Sequence, residues 1–242
     1  QIPQTELRLR QARCLDLLNK LRPEAGGLMV FDRVSIYYFT GTMGPGVYWL
    51  PRQGQPLLMV RKGMERACFD NPELAVARYR SFSDLPGLAQ DHGSPLSPVI
   101  AAEQSVLPWS LADNLQKRLS GTVFVGADHV VSRLRAVKSP WELEKMRTAG
   151  KLHTKATDEL LPRSITPGMT ELQVAHITSD IFYSLGGCGL TRLSGFGEEL
   201  LLGEVSGGEN GNFPTFYNGP LGCKGAHPAA PFLGCPASVW SD

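Results

Sequence analysis

Apolar residues recur at helical spacing near the start of the chain. Leu7, Cys14, Leu18 and Leu21, with Leu15 beside them, predict a helix from about Thr5 to Arg22. Arg8, Arg13 and Lys20 fall away from that stripe, and the Arg-rich "RLRQAR" is read as the solvated face of the helix. Pro23 and the pair Gly26–Gly27 stop it. "LMVF" is a short apolar run of the kind found in buried strands, and "VSIYYFTG" follows it and closes at Gly41. "VYWL" and "PLLMV", separated by "PRQGQ", read as a hairpin with a longer loop. "ELAVARYRSF" fits a strand or a helix equally. "PVIAAE" predicts a strand, "SLADNLQKRLSG" a helix with a glycine stop, and "TVFVGAD" another strand. Strands mixed with helices predict one α/β domain, and the hairpin makes its sheet mixed rather than purely parallel.

The pattern then changes. "SPWELEKMRTAGKLHTKATDELL" is the strongest helix signal, with Ser139, Pro140 and Glu142 forming a capping-box start. Met146, Ala149, Leu152, Ala156 and Leu160 give it one apolar face. "ITPGMTELQVA" predicts a turn and a second helix, capped by Thr170 and Gln173 and running to about Leu185. Apolar residues on two sides of that helix predict that it is sandwiched. Glycines then crowd "GEVSGGENGNFP", as where backbone turns tightly or approaches a ligand. The boundary falls near Asp128–Ser139, giving an α/β domain over 1–132 and a second unit over 133–242.

Composition changes this picture little. The 242 residues are 42% apolar and carry a net charge of +1, so bulk charge points neither to nucleic acid nor to an anionic membrane. Cys14, Cys68, Cys188, Cys223 and Cys235 are odd in number and show no C-x-x-C spacing. Neither a disulfide framework nor a zinc ribbon is expected, and a reducing, cytoplasmic setting is. No run of about 18 apolar residues predicts a membrane span. The polar N-terminus lacks the apolar centre of a signal peptide, although a start at Gln1 leaves room for an earlier segment.

Candidate chemistry is sparse. His92 lies in a turn and reads as surface, and His129 sits at the junction and reads as structural. His153 and His176 read as part-buried helix residues. His227, between Ala226 and Pro228 in a loop after the glycine-rich stretch, fits either a turn histidine or a group that moves a proton near neutral pH. Glu198 and Glu199 read as solvated, and Glu204 and Glu209 are isolated. H-E-x-x-H is absent, as are a phosphate loop, G-x-G-x-x-G and the G-x-S-x-G elbow.

Several segments together carry a family resemblance. "VVSRLRAVKSPWELEKMRTAGKLHTKA" resembles the junction of the creatinase/prolidase/aminopeptidase P metallopeptidases, with Arg135, Lys138, Ser139 and Glu142 in the string R-x-x-K-[ST]-x-x-E. Pro167, Gly168, Thr170 and Glu171 resemble the family's "PGxTE" turn, and "GGENGNFP" its "SGxN" strand. "GAHPAAP" resembles the histidine loop that follows, "SVWSD" the approach to "GD", and "YYFTG" a "YLTG" segment of the N-terminal domain. The resemblance implies a creatinase-type N-terminal domain, a mixed sheet flanked by helices, and then an incomplete pita-bread domain of the α+β class.

The implied activity is hydrolysis of the bond before proline in short peptides, by two divalent ions (manganese, cobalt or zinc) bridging an activated water. By family order the Asp, Asp, His, Glu and Glu ligands follow residue 242. No residue from 1 to 242 is assigned to metal, Asp242 included, and this portion alone is expected to be inactive. His227 matches the histidine that contacts substrate or shuttles a proton, which makes it the one catalytic and substrate-binding candidate. A homodimer is also implied. "NFPTFYNGPLGCKGAHPAAP" is longer than the family's compact "SGxNxxxPH", so Phe213, Phe216 and Tyr217 are expected to reshape the pocket. "G-A-H-P" lies closer to creatinase's "G-A-H-N". The alternatives are therefore a metal-independent, creatinase-like amidinohydrolase and a non-enzymatic binding member of the fold.

Overall fold

Helix α1 (Gln4–Leu21) forms on the apolar stripe at the start of the chain, with Leu7, Cys14 and Leu18 buried. The computed structural model describes residues 1–192, 199–201, 205–213 and Lys224. Two compact units divide the chain, Gln1–Trp141 and Glu142–Asp242. After α1 the first unit runs β1 (Gly27–Val30), α2 (Arg33–Thr40), β2 (Val47–Pro51), β3 (Leu57–Val60), α3 (Met64–Asp70) and β4 (Ala75–Arg78). It continues with α4 (Leu85–Asp91), β5 (Val99–Ala102), α5 (Trp109–Arg118), β6 (Val123–Gly126) and α6 (Asp128–Ala136). "VSIYYFTG" is a helix because both of its ends are capped. The Asp32 carboxylate accepts from the Ser35 N–H at 3.0 Å, and Gly41 leaves the helix at φ 77°, a left-handed conformation that favours glycine. The ambiguous "ELAVARYRSF" supplies β4.

The six strands form one sheet in the order β4-β3-β2-β1-β5-β6. β2 pairs antiparallel with both β1 and β3, while the β3–β4, β1–β5 and β5–β6 pairs are parallel. The sheet is mixed, as the hairpin predicts. Side chains alternate between its faces with the period of two that a strand imposes. Leu28, Val30, Tyr48 and Leu50 face a core closed by residues of α1, α2, α3 and α6. Met29, Val47, Trp49 and Leu57 face a second core closed by residues of α4 and α5. Burial on both faces explains why these strands read as unbroken apolar runs.

Two details show how closely this unit is fitted. A Cβ on Gly27 would lie 2.4 Å from the Trp49 ring and 2.6 Å from the Leu50 carbonyl, so only glycine lets β1 pair with β2 there. The Arg-rich start of α1 is not wholly a solvated face, since Arg10 is buried. Its Nε donates to Glu6 Oε1 at 2.8 Å, its Nη1 donates to the Tyr38 carbonyl at 2.9 Å, and its guanidinium lies 4.3 Å from the Tyr38 ring centroid. Arg10 sits three residues after Leu7 and four before Cys14, on the buried stripe. Pairing with Glu6 one turn earlier is what lets a charge enter it. The Ser139 hydroxyl donates to the same Glu6 oxygen at 2.8 Å, so the "KSPWE" junction is tied back to α1.

In the second unit α7 (Pro140–Thr154) runs into a π-helical turn, Lys155–Leu160, and then α8 (Leu161–Ser164). Pro162 explains the turn. It has no N–H to give the carbonyl of Asp158, and the widened turn spans that position. Ala156 is buried, whereas Met146 and Leu152 of the expected apolar face are exposed. Helix α9 (Glu171–Ser184) starts on the expected capping box. The Thr170 hydroxyl accepts from the Gln173 N–H at 3.2 Å, and the Thr170 N–H donates to Gln173 Oε1 at 2.9 Å. This helix is not sandwiched along its length. Glu171 and Val174 are its buried residues, and its other apolar side chains are half-buried or, at Tyr183, exposed. Strands β7 (Leu190–Arg192) and β8 (Glu199–Leu201) pair antiparallel. Helices with an antiparallel ribbon are the content expected at the beginning of a pita-bread domain.

Candidate functional site

The glycine-rich segment of the second unit is organised around Glu171, the first residue of α9 and the last of the "PGxTE" turn. Gly168 makes that turn possible at φ 90°. It brings the chain to Thr170, whose cap starts the helix and sets Glu171 on its buried side, 2% exposed. Glu171 Oε1 accepts from the Gly207 N–H at 2.8 Å and from Asn210 Nδ2 at 3.1 Å. A short 3₁₀ turn, Gly208–Asn212, follows. The Asn210 carbonyl accepts from the Lys224 N–H at 3.2 Å, and the Lys224 ammonium lies 5.2 Å from the ring centroid of Phe213. A buried carboxylate therefore gathers the loop that precedes His227 in sequence. His227 itself lies outside the described residues, as do Asp242, Phe216, Tyr217, Glu198 and Glu204.

The first unit has a different polar cluster, at the C-terminal ends of its parallel strands. β1, β5 and β6 run parallel, so the residues that follow them, Asp32, Glu103 and Asp128, emerge at the same end. The chain crosses from β1 through β2, β3 and β4 on one side before returning to β5 and β6 on the other. The β1/β5 boundary is thus the point where strand order reverses, the usual place for a crevice in an open α/β sheet. Here it is filled by the protein. Glu103, buried, accepts from the Ser35 hydroxyl at 2.7 Å and from the backbone N–H groups of Asp32 at 3.3 Å and Phe31 at 3.4 Å.

Burial pushes the Glu103 carboxyl up, and the Asp32 charge adds to this, against the hydrogen bonds from Ser35, Asp32 and Phe31. Burial, followed by the Glu103 charge, pushes the Cys14 thiol up to about 12, which leaves it protonated and unreactive at neutral pH. At Asp128 burial is the largest single influence and acts upward. The Ser105 hydroxyl and the Ser105 and Gln104 N–H groups outweigh it and hold the carboxyl below its ordinary value. Asp32, Glu103 and Asp128 act as fasteners of loops and helix starts.

The other sequence candidates are dispersed. His92 closes α4, exposed, with Nδ1 2.8 Å from the Leu88 carbonyl. His129 lies half-buried in the first turn of α6. His153 and His176 are exposed rather than part-buried, and the His153 ring packs 4.9 Å from Phe182. The α7 face that carries His153 is itself exposed, so its apolar spacing does not translate into burial. Glu209 is exposed. Among the described residues no three His, Cys, Asp or Glu side chains converge as metal ligands, and no helix is long and apolar enough to cross a membrane. Sequence reasoning missed two groups, Glu171 with Asn210 and Glu103 with Ser35. The available signals were an acidic residue placed at a helix start inside the "PGxTE" turn and another placed directly after the apolar run "VIAA".

A family model described as the creatinase/prolidase N-terminal domain matches residues 10–137. No curated protein sequence matches the chain. Among solved structures, an Xaa-Pro dipeptidase from Bacillus anthracis aligns with a TM-score of 0.65 at 16% identity, over 77% of this chain and 51% of that one. An X-Pro aminopeptidase from Thermotoga maritima aligns at 0.62 with 21% identity, over 75% and 51%. A prolidase from Pyrococcus horikoshii aligns at 0.60 with 18% identity, over 73% and 49%. At these identities the likeness is one of fold. The chain spans about half the length of these relatives.

Proposed function

The chain belongs to the creatinase/prolidase N-terminal domain family, and from that premise we propose that the whole protein is a metal-dependent peptidase. Its reaction is hydrolysis of the bond before proline in short peptides, as an Xaa-Pro aminopeptidase or dipeptidase. The observation that carries this reading is the family match over residues 10–137, continued by fold likeness to Xaa-Pro peptidases over about three quarters of the chain. The "PGxTE" turn adds support, because its Glu171 gathers the glycine-rich loop that precedes His227.

The described residues do not fit a metal pair, and the proposed manganese, cobalt or zinc ions belong to ligands beyond residue 242. The role that falls to this chain's own residues is His227's. Its imidazole holds or donates a proton at the substrate, beside the scissile bond, where a group titrating near neutral pH is effective. A homodimer working in the cytoplasm completes the proposal.

The test is metal analysis of the whole protein joined to an assay with Gly-Pro and Gly-Ala peptides. Two bound divalent ions and cleavage confined to the proline peptide are expected. No metal with cleavage of an amidino substrate would replace this reading with the creatinase-like one. No metal and no turnover at all would leave the fold as a binding scaffold. Residues 1–242 alone are expected to take up no stoichiometric metal pair.

A further inference from the structure

One hydroxyl stands between two carboxylates at the start of α2. Ser35 Oγ lies 2.7 Å from Glu103 Oε1 and 3.3 Å from Asp32 Oδ2. A serine hydroxyl carries one proton, so it donates to one of them at a time. Asp32 Oδ2 is also the cap of α2, accepting from the Ser35 N–H at 3.0 Å. The other Glu103 oxygen, Oε2, accepts from the N–H groups of Asp32 at 3.3 Å and Phe31 at 3.4 Å. Ser35 and Glu103 are both buried, where a polar group left without a partner is costly.

We propose that Asp32, Ser35 and Glu103 form a proton-operated switch that sets how tightly α2 is capped. With Glu103 ionised, the Ser35 hydroxyl is donated to Glu103 Oε1, and Asp32 holds α2 through the Ser35 N–H. When Glu103 takes up one proton on Oε1, that O–H is donated to Ser35 Oγ, and the Ser35 hydroxyl turns to Asp32 Oδ2. One proton enters, no other covalent bond changes, and Oε2 keeps both N–H donors in either state. The protonated state gives the Asp32 carboxylate a second donor and removes one of two facing negative charges, so α2 is held more firmly in it.

The surroundings favour uptake at Glu103. Burial raises its carboxyl against the Ser35 hydrogen bond, and the Asp32 charge adds to the rise. Cys14 of α1 faces it, with Tyr48 of β2 beside Cys14, and burial pushes both of those groups up, so both stay neutral while Glu103 titrates. Asp128, at the start of α6, stays ionised and fastens the N–H groups of Gln104 and Ser105, the two residues that follow Glu103.

The experiment raises pH from 4.5, the ordinary value for the Glu103 carboxyl, towards neutrality in the whole protein. Two quantities are followed: the Glu103 carboxyl carbon shift by NMR, and amide protection in the first turn of α2, at Ser35 and Ile36. In wild type Glu103 should titrate above 4.5, and protection should fall over the same interval by about fivefold, the worth of one helix-cap hydrogen bond. Glu103→Gln keeps an N–H donor for Ser35 Oγ and an acceptor for the two backbone N–H groups, so it should hold the protected state at every pH. Ser35→Ala removes the hydroxyl that turns. Glu103 should still titrate in it, while the step in protection at Ile36 largely vanishes. Plain repulsion between Asp32 and Glu103 needs no hydroxyl and would leave that step in place.

Protection that stays flat in wild type while Glu103 titrates, a full-sized step in Ser35→Ala, or a step that persists in Glu103→Gln would each overturn the proposal. If Ser35→Ala does not fold, wild type and Glu103→Gln decide it between them.

Discussion

The two units use apolar residues in opposite ways. In the unit Gln1–Trp141, strands β1, β2, β3 and β5 are buried on both faces, and the helices that cover them bury their own stripes. In the unit from Glu142 on, Ala156 and Val174 are the buried apolar residues of the described helices, and α7 carries Met146 and Leu152 in the open. The sequence pattern is equally regular in both. Periodicity identifies an element and its apolar face, whereas burial depends on whether a partner surface closes over that face. Polar groups divide in the same way. Buried Glu6, Arg10 and Glu103 lock helices and strand ends within the first unit, while the second unit invests its buried carboxylate, Glu171, in a loop.

Substitutions test that contrast. The largest effect is expected at Trp49, fully buried with its indole N–H donated to the Ser94 carbonyl at 2.9 Å. Trp49→Ala should cost about 3–5 kcal/mol in denaturant unfolding. A loss near that of a surface substitution would mean the first unit does not rely on its sheet core. Arg10→Met should cost a comparable amount, about 3–5 kcal/mol, because it removes the cation paired with the buried Glu6 carboxylate. Replacing both partners, Glu6→Leu with Arg10→Met, should recover much of that loss. A double variant weaker than the single one would contradict the role assigned to the pair.

Thr170→Ala should cost about 1 kcal/mol by removing the cap of α9. A change far below that would show the second unit to be indifferent to this helix start. Met146→Ala, at an exposed position, should fall within about 0.5 kcal/mol of wild type. A multi-kcal/mol loss there would show that the α7 face is covered, and the contrast between the units would fail.

Glu103 adds a pH-dependent test. Its carboxyl is raised above the ordinary value of 4.5, so the folded chain holds that proton more tightly than the unfolded one. Stability from this group is present below the unfolded value and declines as pH rises through the folded one. Wild type should therefore lose stability relative to Glu103→Gln as pH is raised from about 4 towards neutrality. A difference that stays flat, or runs the other way, would contradict the assignment of burial as the dominant influence.

Much of the first unit is legible in the sequence because its strands are short apolar runs bounded by glycine, proline and polar residues. The hairpin and the mixed sheet follow from "VYWL-PRQGQ-PLLMV", and the structure bears them out. The capping box at Thr170 is equally legible, since its residues are neighbours in sequence. What sequence reading misses depends on long-range partners. Arg10 looks solvated until Glu6, Tyr38 and the fold of α2 are in place. Glu103 is a strand-end acid until Ser35 and the turn after β1 meet it. The π-turn is the local exception, set by Pro162, which denies a hydrogen bond to the Asp158 carbonyl four residues earlier. Glu171 could be tied to Gly207 and Asn210 only once the chain had folded back over more than thirty residues.

The most direct test of the central claim is kcat/KM of the whole, metal-loaded protein on an Xaa-Pro peptide, for wild type against His227→Ala. Cleavage before proline by wild type is expected, with a loss of about 10²–10⁴-fold in the variant, the range for a group that handles a proton in the transition state. No proline-directed cleavage by wild type, or equal cleavage by both, would contradict it.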